Sequence, residues 1–245
     1  MTHPPRFLRT ILAHPKEDLP RLRYAKWLDG CGNPLGEFIR LQCDPMGDRK
    51  YCPAYCERRT QQLLADYHGY WTDALSHRVS WCSFRRGFVE EIAITDRQLI
   101  HHAAELFGRA PVLDIHLVSD GRRLDELPEL PDLPYTFFLD LSAQTLGDDG
   151  VARLADSPFL QHAHGLNLGS TYMGDDGLDA IAHSPFLGSL RELYINDNPI
   201  TDDGIRQFVL SPVADQLDLL DVRTTQVGED GVEVLRHILG DQVMC

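Results

Sequence analysis

The chain has 245 residues, of which 43% are hydrophobic, and a formal net charge of −14 at neutral pH. That length sets one or two domains with enough apolar material for a true core. No run is long enough to span a bilayer, and the acidity disfavours nucleic acid and anionic membrane as partners.

The chain opens on Met1-Thr2-His3-Pro4-Pro5-Arg6, a polar, proline-bearing stretch rather than the apolar segment of an export signal. Phe7, Leu8, Ile11 and Leu12 then form one stripe of a short helix that His14-Pro15 breaks. Asp18-Leu19-Pro20 marks a helix start, its stripe carried by Leu22, Tyr24, Ala25, Trp27 and Leu28 and closed by Gly30 and Gly32. A third helix, Leu35 to Gln42, follows Asn33-Pro34. Glu37 and Arg40 stand three apart on it, with Asp29 nearby, so acid–base roles can be drawn. Charge pairing at i, i+3 and loop bracing explain the same spacing better.

The run Arg21-Leu22-Arg23-Tyr24-Ala25-Lys26-Trp27-Leu28-Asp29, followed by Gly32-Asn33-Pro34-Leu35-Gly36-Glu37-Phe38-Ile39-Arg40-Leu41-Gln42 and later by Phe84-Arg85-Arg86-Gly87-Phe88-Val89-Glu90, is a recognisable signature. It resembles the N-terminal domain of bacterial repeat-companion proteins, with Lys26 where that family has an aspartate. The resemblance implies a small helical domain set beside repeat modules, and no activity.

Six cysteines, Cys31, Cys43, Cys52, Cys56, Cys82 and Cys245, occur without an export signal and read as reduced thiols in the cytoplasm. Cys52 and Cys56, with Cys43, His68 or Cys82, could supply zinc ligands. One C-x₃-C without a second pair falls short of the paired knuckles of a zinc site, so no metal and no cofactor is expected. Cys56 is expected to open the helix that runs through Leu63, Leu64, Tyr67 and Trp71. Phe88–Ile94 alternates as a strand, Leu99–Phe107 reads as a helix, and Val112–Leu117 as a second strand. These two units are expected to be irregular first repeats that close an exposed end. Leu124 to Pro134, with three prolines, is expected to be extended chain.

From Phe138 onward the chain repeats itself every 27 residues. Leu139/Leu141 recurs as Leu166/Leu168, Leu193/Ile195 and Leu220/Val222. Asp148-Asp149-Gly150 recurs as Asp175-Asp176-Gly177, Asp202-Asp203-Gly204 and Glu229-Asp230-Gly231. Ser157-Pro158 recurs as Ser184-Pro185 and Ser211-Pro212. Such a period is the mark of stacked units that bury their apolar edges against one another. The segment Leu190-Arg191-Glu192-Leu193-Tyr194-Ile195-Asn196-Asp197-Asn198-Pro199-Ile200 resembles a leucine-rich repeat of the helix-containing, ribonuclease-inhibitor class. Asn198 occupies the turn asparagine of such repeats, where Gln144, Thr171 and Thr225 stand in the other copies. The acidic triplets suit helix N-termini, where carboxylates cap N–H groups and complement the dipole. Calcium would need several oxygens converging on one ion, and each acidic pair is instead followed by helix. The helices are expected to bury Val151, Leu154 and Ala155; Leu178, Ile181 and Ala182; and Val232, Leu235 and Arg236. Asp241–Cys245 is expected to be too short for a cap, leaving the last helix to seal the array.

The expected architecture is therefore α/β: a helical head over 1–83, irregular units over 84–135, and a leucine-rich-repeat solenoid over 136–245. The charge divides likewise, with 12 Lys/Arg against 9 Asp/Glu in residues 1–83 and 5 against 18 in residues 136–245. The strands place Phe138, Asp140 and Ser142, then Gly165, Asn167 and Gly169, then Glu192, Tyr194 and Asn196, then Leu219, Asp221 and Arg223, on one outward face. Phe138 and Tyr194 among carboxylates and one arginine have the composition of a binding patch. The expected function is non-enzymatic binding of a protein partner, basic in character, by the acidic concave face. The acidity serves solubility equally well. The alternatives are an enzymatic or zinc-dependent head whose substrate the repeats select, and a regulatory or inhibitory subunit.

Overall fold

The computed structural model describes residues 4–44, 52–118 and 137–245. The first three residues and the proline-rich Leu124–Pro134 stretch lie outside the described residues. The chain forms two compact units, Met1–Ala93 with His102–Leu113, and Ile94–His101 with Asp114–Cys245. Its elements are mixed α and β.

The first unit contains α1 (Pro5–Ala13), α2 (Asp18–Gly30), α3 (Pro34–Cys43) and α4 (Pro53–Thr72), then strands β1 (Trp81–Arg85) and β2 (Phe88–Ile94). Asn33 starts α3 by accepting the Leu35 N–H at 3.0 Å. Pro53 takes the first position of α4, so Cys56 lies one turn inside the helix rather than opening it. Ile11, Tyr24, Leu28, Phe38, Ile39, Leu63 and Phe88 fill the core. Gly36 permits the close crossing of α2 and α3, since a Cβ there would meet the Ala25 carbonyl at 2.8 Å. β1 was not expected from the sequence, and it pairs with β2 in an antiparallel hairpin. Arg86 and Gly87 close that hairpin with φ of 51° and 83°, as a two-residue turn of the right-handed twist requires.

A buried charge cluster ties the helices to this hairpin. Arg21 Nη2 donates to Glu90 Oε1 at 2.5 Å, and Arg86 grips Glu90 Oε2 through Nη2 at 2.7 Å and Nε at 3.1 Å. Arg21 is 0% and Glu90 1% exposed. Burial pushes the Glu90 carboxyl up and the Arg21 guanidinium down, and their mutual attraction opposes both shifts. Gln42 accepts the Gly87 N–H at 2.6 Å, completing the seam.

Between the hairpin and the next strand runs α5 (Asp96–Arg109). The second unit then carries β3 (Asp114–Leu117), β4 (Phe138–Asp140), β5 (Gly165–Asn167), β6 (Glu192–Tyr194), β7 (Leu219–Asp221) and β8 (Val243–Met244), each parallel to the next. β3 begins at Asp114 rather than Val112, because its ladder partner β4 begins at Phe138. Leu139, Leu166, Leu193 and Leu220 stand in register and are 1% exposed or less. The connecting helices are α6 (Gly147–Ala155), α7 (Asp175–Ala182), α8 (Asp202–Phe208) and α10 (Glu229–Leu239). Val151, Leu154, Leu178, Ile181, Ile205, Phe208 and Leu235 are buried from them. Arg236, placed in that stripe by the sequence, is exposed, because Leu235 and Leu239 fill the inner side and leave the guanidinium in water. Each Ser-Pro both ends a helix and starts the next turn. Ser157 accepts Phe159 N–H and Ser184 accepts Phe186 N–H, while Ser211 caps α9 (Pro212–Asp215). The tail does not leave α10 to close the array: after Gly240 it turns back and adds β8 beside β7.

Two devices repeat with the period. Ala143, Ser170, Asp197 and Thr224 hold the left-handed conformation just after each strand, with φ of 55–58°. Asn198 braces this turn, donating to Leu168 O at 2.7 Å and Ile195 O at 3.0 Å while accepting the N–H groups of Thr171 and Met173 at 3.0 Å. Thr171 and Thr225 do part of the same work, each donating at 2.7 Å to the carbonyl three residues back. Gln144 donates at 3.2 Å to Leu117 O and Ser142 O.

The acidic triplets act otherwise than expected. The first acid of a triplet does not cap its own helix; it reaches the N-terminus of the following one. Asp148 accepts the N–H groups of Gly174 at 2.6 Å and Gly177 at 2.9 Å. Asp175 accepts from Thr201 N at 2.8 Å and Thr201 Oγ1 at 2.6 Å, and Asp202 from Gly228 N at 2.7 Å. The triplet glycine makes room for that carboxylate: a Cβ on Gly177 would lie 2.7 Å from Asp148 Oδ1. A Cβ on Gly204 or Gly231 would collide with Asp175 or Asp202 in the same way.

Two predictions test these contacts. Gly204→Ala should destabilise the second unit by about 1–3 kcal/mol through overpacking. In Asp175→Ala/Gly204→Ala the loss should be less than the sum of the single losses, as read by denaturant titration; strict additivity would contradict the contact. Arg21→Met should cost about 1–3 kcal/mol by removing the buried donor to Glu90 Oε1 while Arg86 still holds Oε2, whereas Arg40→Ala, at an exposed pair, should stay within about 1 kcal/mol.

Candidate functional site

The outward residues of β4–β7 stand in two rows fixed by the ladder. Phe138, Gly165, Glu192 and Leu219 are in register, as are Asp140, Asn167, Tyr194 and Asp221. Alternation along each strand turns the leucines inward and leaves these side chains on the other face. His116 precedes Asp140 in the second row.

Phe138 and Tyr194 meet edge-on across β5, with ring centroids 5.9 Å apart and planes at 67°. Gly165 makes this possible, because a Cβ on it would occupy the place of the Phe138 ring. The aromatic pair is therefore built from three adjacent strands, two supplying rings and the middle one a gap. Tyr194 donates its hydroxyl to Glu192 Oε2 at 3.2 Å. Partial burial and the carboxylates of Glu192 and Asp221 hold its pKa above the ordinary tyrosine value.

Polar side chains flank the pair and are partly committed to the turns below it. Asp140 accepts Ser142 N–H at 2.9 Å, Asn167 accepts Gly169 N–H at 2.9 Å, and Asp221 accepts Arg223 N–H at 3.1 Å. Each is the same side-chain-to-backbone bond two residues on. The second Asp140 oxygen lies 3.1 Å from His116 Nδ1. Asn196 donates to Asp197 at 3.1 Å and packs over Gly169, where a Cβ would lie 2.8 Å from its Oδ1. Asp221 is 1% exposed, its carboxylate clasped by Arg223 through Nε at 2.9 Å and Nη2 at 2.7 Å.

The structure thus brings Phe138, Glu192 and Tyr194 into one centre, with Asp140, Ser142, Asn167 and Asn196 around it and Leu219 beside Glu192. Asp221 lies beneath the face, and Arg223 closes the β7 side as its lid. His116 was missed in the sequence because it stands 24 residues before Asp140, outside the 27-residue period. A search for ring nitrogens at strand ends rather than for the period would have found it.

In the first unit the signature carboxylates are held by arginines of other helices. Arg40 pairs with Asp29, and Arg59 binds both oxygens of Glu37 at 2.8 Å. These pairs cross between helices and are not the i, i+3 pairs read from the sequence. The Arg59 hydrogen bonds draw the Glu37 pKa below the ordinary carboxylate value. Cys52 is exposed and Cys56 buried on successive turns of chain, and no disulfide joins any of the six cysteines. Among the described residues no group of three or more His, Cys, Asp or Glu is arranged to hold a metal ion, and no helix is long and apolar enough to cross a membrane.

With this geometry in place, the comparisons with known proteins are brief. Residues 189–209, which include β6 and all of α8, match the family model for the leucine-rich repeat. No curated protein matches the chain. The second unit therefore contains leucine-rich repeats, a class of motif that generally mediates protein–protein interaction.

The electrostatics of the face can be read at Tyr194. Glu192→Gln removes a neighbouring negative charge, so Tyr194 should ionise at lower pH, closer to the free value of about 10. NMR titration of labelled tyrosine should show that shift; an unmoved Tyr194 would contradict the contact.

Proposed function

We propose that this chain is a non-enzymatic protein-interaction module, a helical head followed by a leucine-rich-repeat solenoid whose concave, acidic face holds a partner protein. The observation that carries this reading is the Phe138–Tyr194 pair laid over Gly165. Two rings fixed against each other lose little freedom on binding and present amphipathic area of the kind that dominates protein interfaces. Glu192, Asp140, Asn167 and Asn196 surround the rings with acceptors. The partner segment that fits is basic, an arginine or lysine side chain laid on the tyrosine and reaching Glu192. The resemblance of the head to the repeat-companion domain supports its reading as a structural companion of the repeats. The arginine-held state of Asp29 and Glu37 supports the same reading over a catalytic one. A reducing cytoplasm is the compartment that fits six cysteines without a bridge.

Affinity capture from native lysate with the parent chain and with a Phe138→Ala/Tyr194→Ala variant tests the proposal. A protein retained by the parent and reduced at least about tenfold on the folded variant is the expected result, since loss of an aromatic anchor commonly costs ~2 kcal/mol or more. Equal capture by both would remove the sheet face as the binding surface.

A further inference from the structure

The outer face of α1 and α2 gathers cations that make no ion pair with a carboxylate among the described residues. On α2, Leu19, Arg23, Lys26 and Trp27 fall at spacings that share one side of a helix, and all four are exposed. Leu19 is 56% and Trp27 38% exposed, so both offer apolar area beside the cations. On α1, Arg6 and Arg9 stand one turn apart, and the Arg6 guanidinium lies 6.0 Å over the Trp27 ring. Among the described residues none of Arg6, Arg9, Arg23 and Lys26 makes an ion pair with a carboxylate. The acids nearest in sequence on this helix pair face other groups: Asp29 pairs with Arg40, Glu17 lies beside His14, and Asp18 lies 4.0 Å from Arg86. The patch is basic within a chain of net charge −14.

We propose that this α1–α2 face binds a short acidic peptide segment of a partner protein. An apolar side chain of that segment rests against Leu19 and Trp27, and its carboxylates meet Arg6, Arg23 and Lys26. An arginine-framed tryptophan at the centre of a small patch is the composition that carries most binding energy at protein interfaces. The apolar side chains between the cations decide which anion fits. A phosphate backbone carries no aliphatic side chain to set against Leu19, whereas an acidic peptide supplies both carboxylates and apolar groups. A short segment meets the local field, which screening confines to about 8 Å at physiological salt. The apolar part of the patch is also two side chains only. Trp27 is held by Arg6 on one side and stacks on Tyr24 at 6.0 Å, which leaves too little apolar area for insertion into lipid.

The test is calorimetric titration of the full chain with a synthetic twelve-residue peptide of Asp and Glu carrying a central Phe and Leu. Saturable one-to-one binding is expected, weakened at least about tenfold in Arg23→Glu/Lys26→Glu and about tenfold in Trp27→Ala, the size typical of an interface anchor. Both variants change exposed side chains, and their melting curves verify folding. No binding by the parent, or equal affinity in the charge-reversed variant, would overturn the proposal. So would tighter binding to phosphatidylserine vesicles or to a twelve-residue oligothymidylate than to the peptide under the same conditions.

Discussion

A carboxylate at the start of one helix holds the start of the next, and the second unit depends on that contact. The first turn of any helix leaves N–H groups without intrahelical partners. Here the preceding helix supplies the acceptor: Asp148 for Gly174 and Gly177, Asp175 for Thr201, Asp202 for Gly228. The positive end of the helix dipole favours the same placement. Because the carboxylate sits where a Cβ would project from the next triplet, the last residue of that triplet is glycine: Gly177, Gly204 and Gly231. The acidic residue and the glycine of the triplet therefore serve two different junctions, one forward and one backward. Their fixed spacing sets successive strands in register, and that register brings Phe138, Gly165 and Tyr194 side by side.

The first unit solves a different problem. It has helices and a hairpin to join, and it places one carboxylate between two guanidiniums where water is excluded. Such a cluster adds little net stability compared with an apolar core, because desolvation opposes the attraction. Its geometry is specific, however: Arg21 comes from α2, while Arg86 and Glu90 come from the turn and second strand of the hairpin. Gln42 on Gly87 and Gly36 against Ala25 fix the same seam. The sequence signature of the head is thus a record of helix-to-hairpin joints. Asp29, Glu37, Arg21, Arg86 and Glu90 of that signature are all engaged in such joints or in pairs between helices.

Much of this was legible in the residues, and the exceptions have physical causes. The inward leucines, the outward rows and the helices of the repeats follow from period and alternation alone, and the turn asparagine Asn198 does what its position implies. The reach of Asp148, Asp175 and Asp202 was not legible, because a cap on the same helix and a cap on the next share one spacing in a periodic sequence. β8 escaped notice because two residues carry no alternation, and β1 because Trp81–Arg85 is only half-buried on both sides. The burial of Asp221 beneath Arg223 was not legible either, because strand alternation gives the side of the sheet and not which side chain covers another. The Phe138–Tyr194 contact was foreseen as a shared patch; that Gly165 makes room for it became clear only once the three strands were seen side by side.

Native-state hydrogen exchange at the helix starts tests the central constraint most directly. First-turn amides of ordinary helices exchange quickly, since they lack intrahelical partners. The carboxylate contacts predict slow exchange at Gly174, Gly177 and Thr201, comparable with amides in the middle of the same helices. Exchange at these three positions as fast as at exposed loop amides would contradict the interlocked repeat, and with it the register that sets Phe138, Gly165 and Tyr194 side by side.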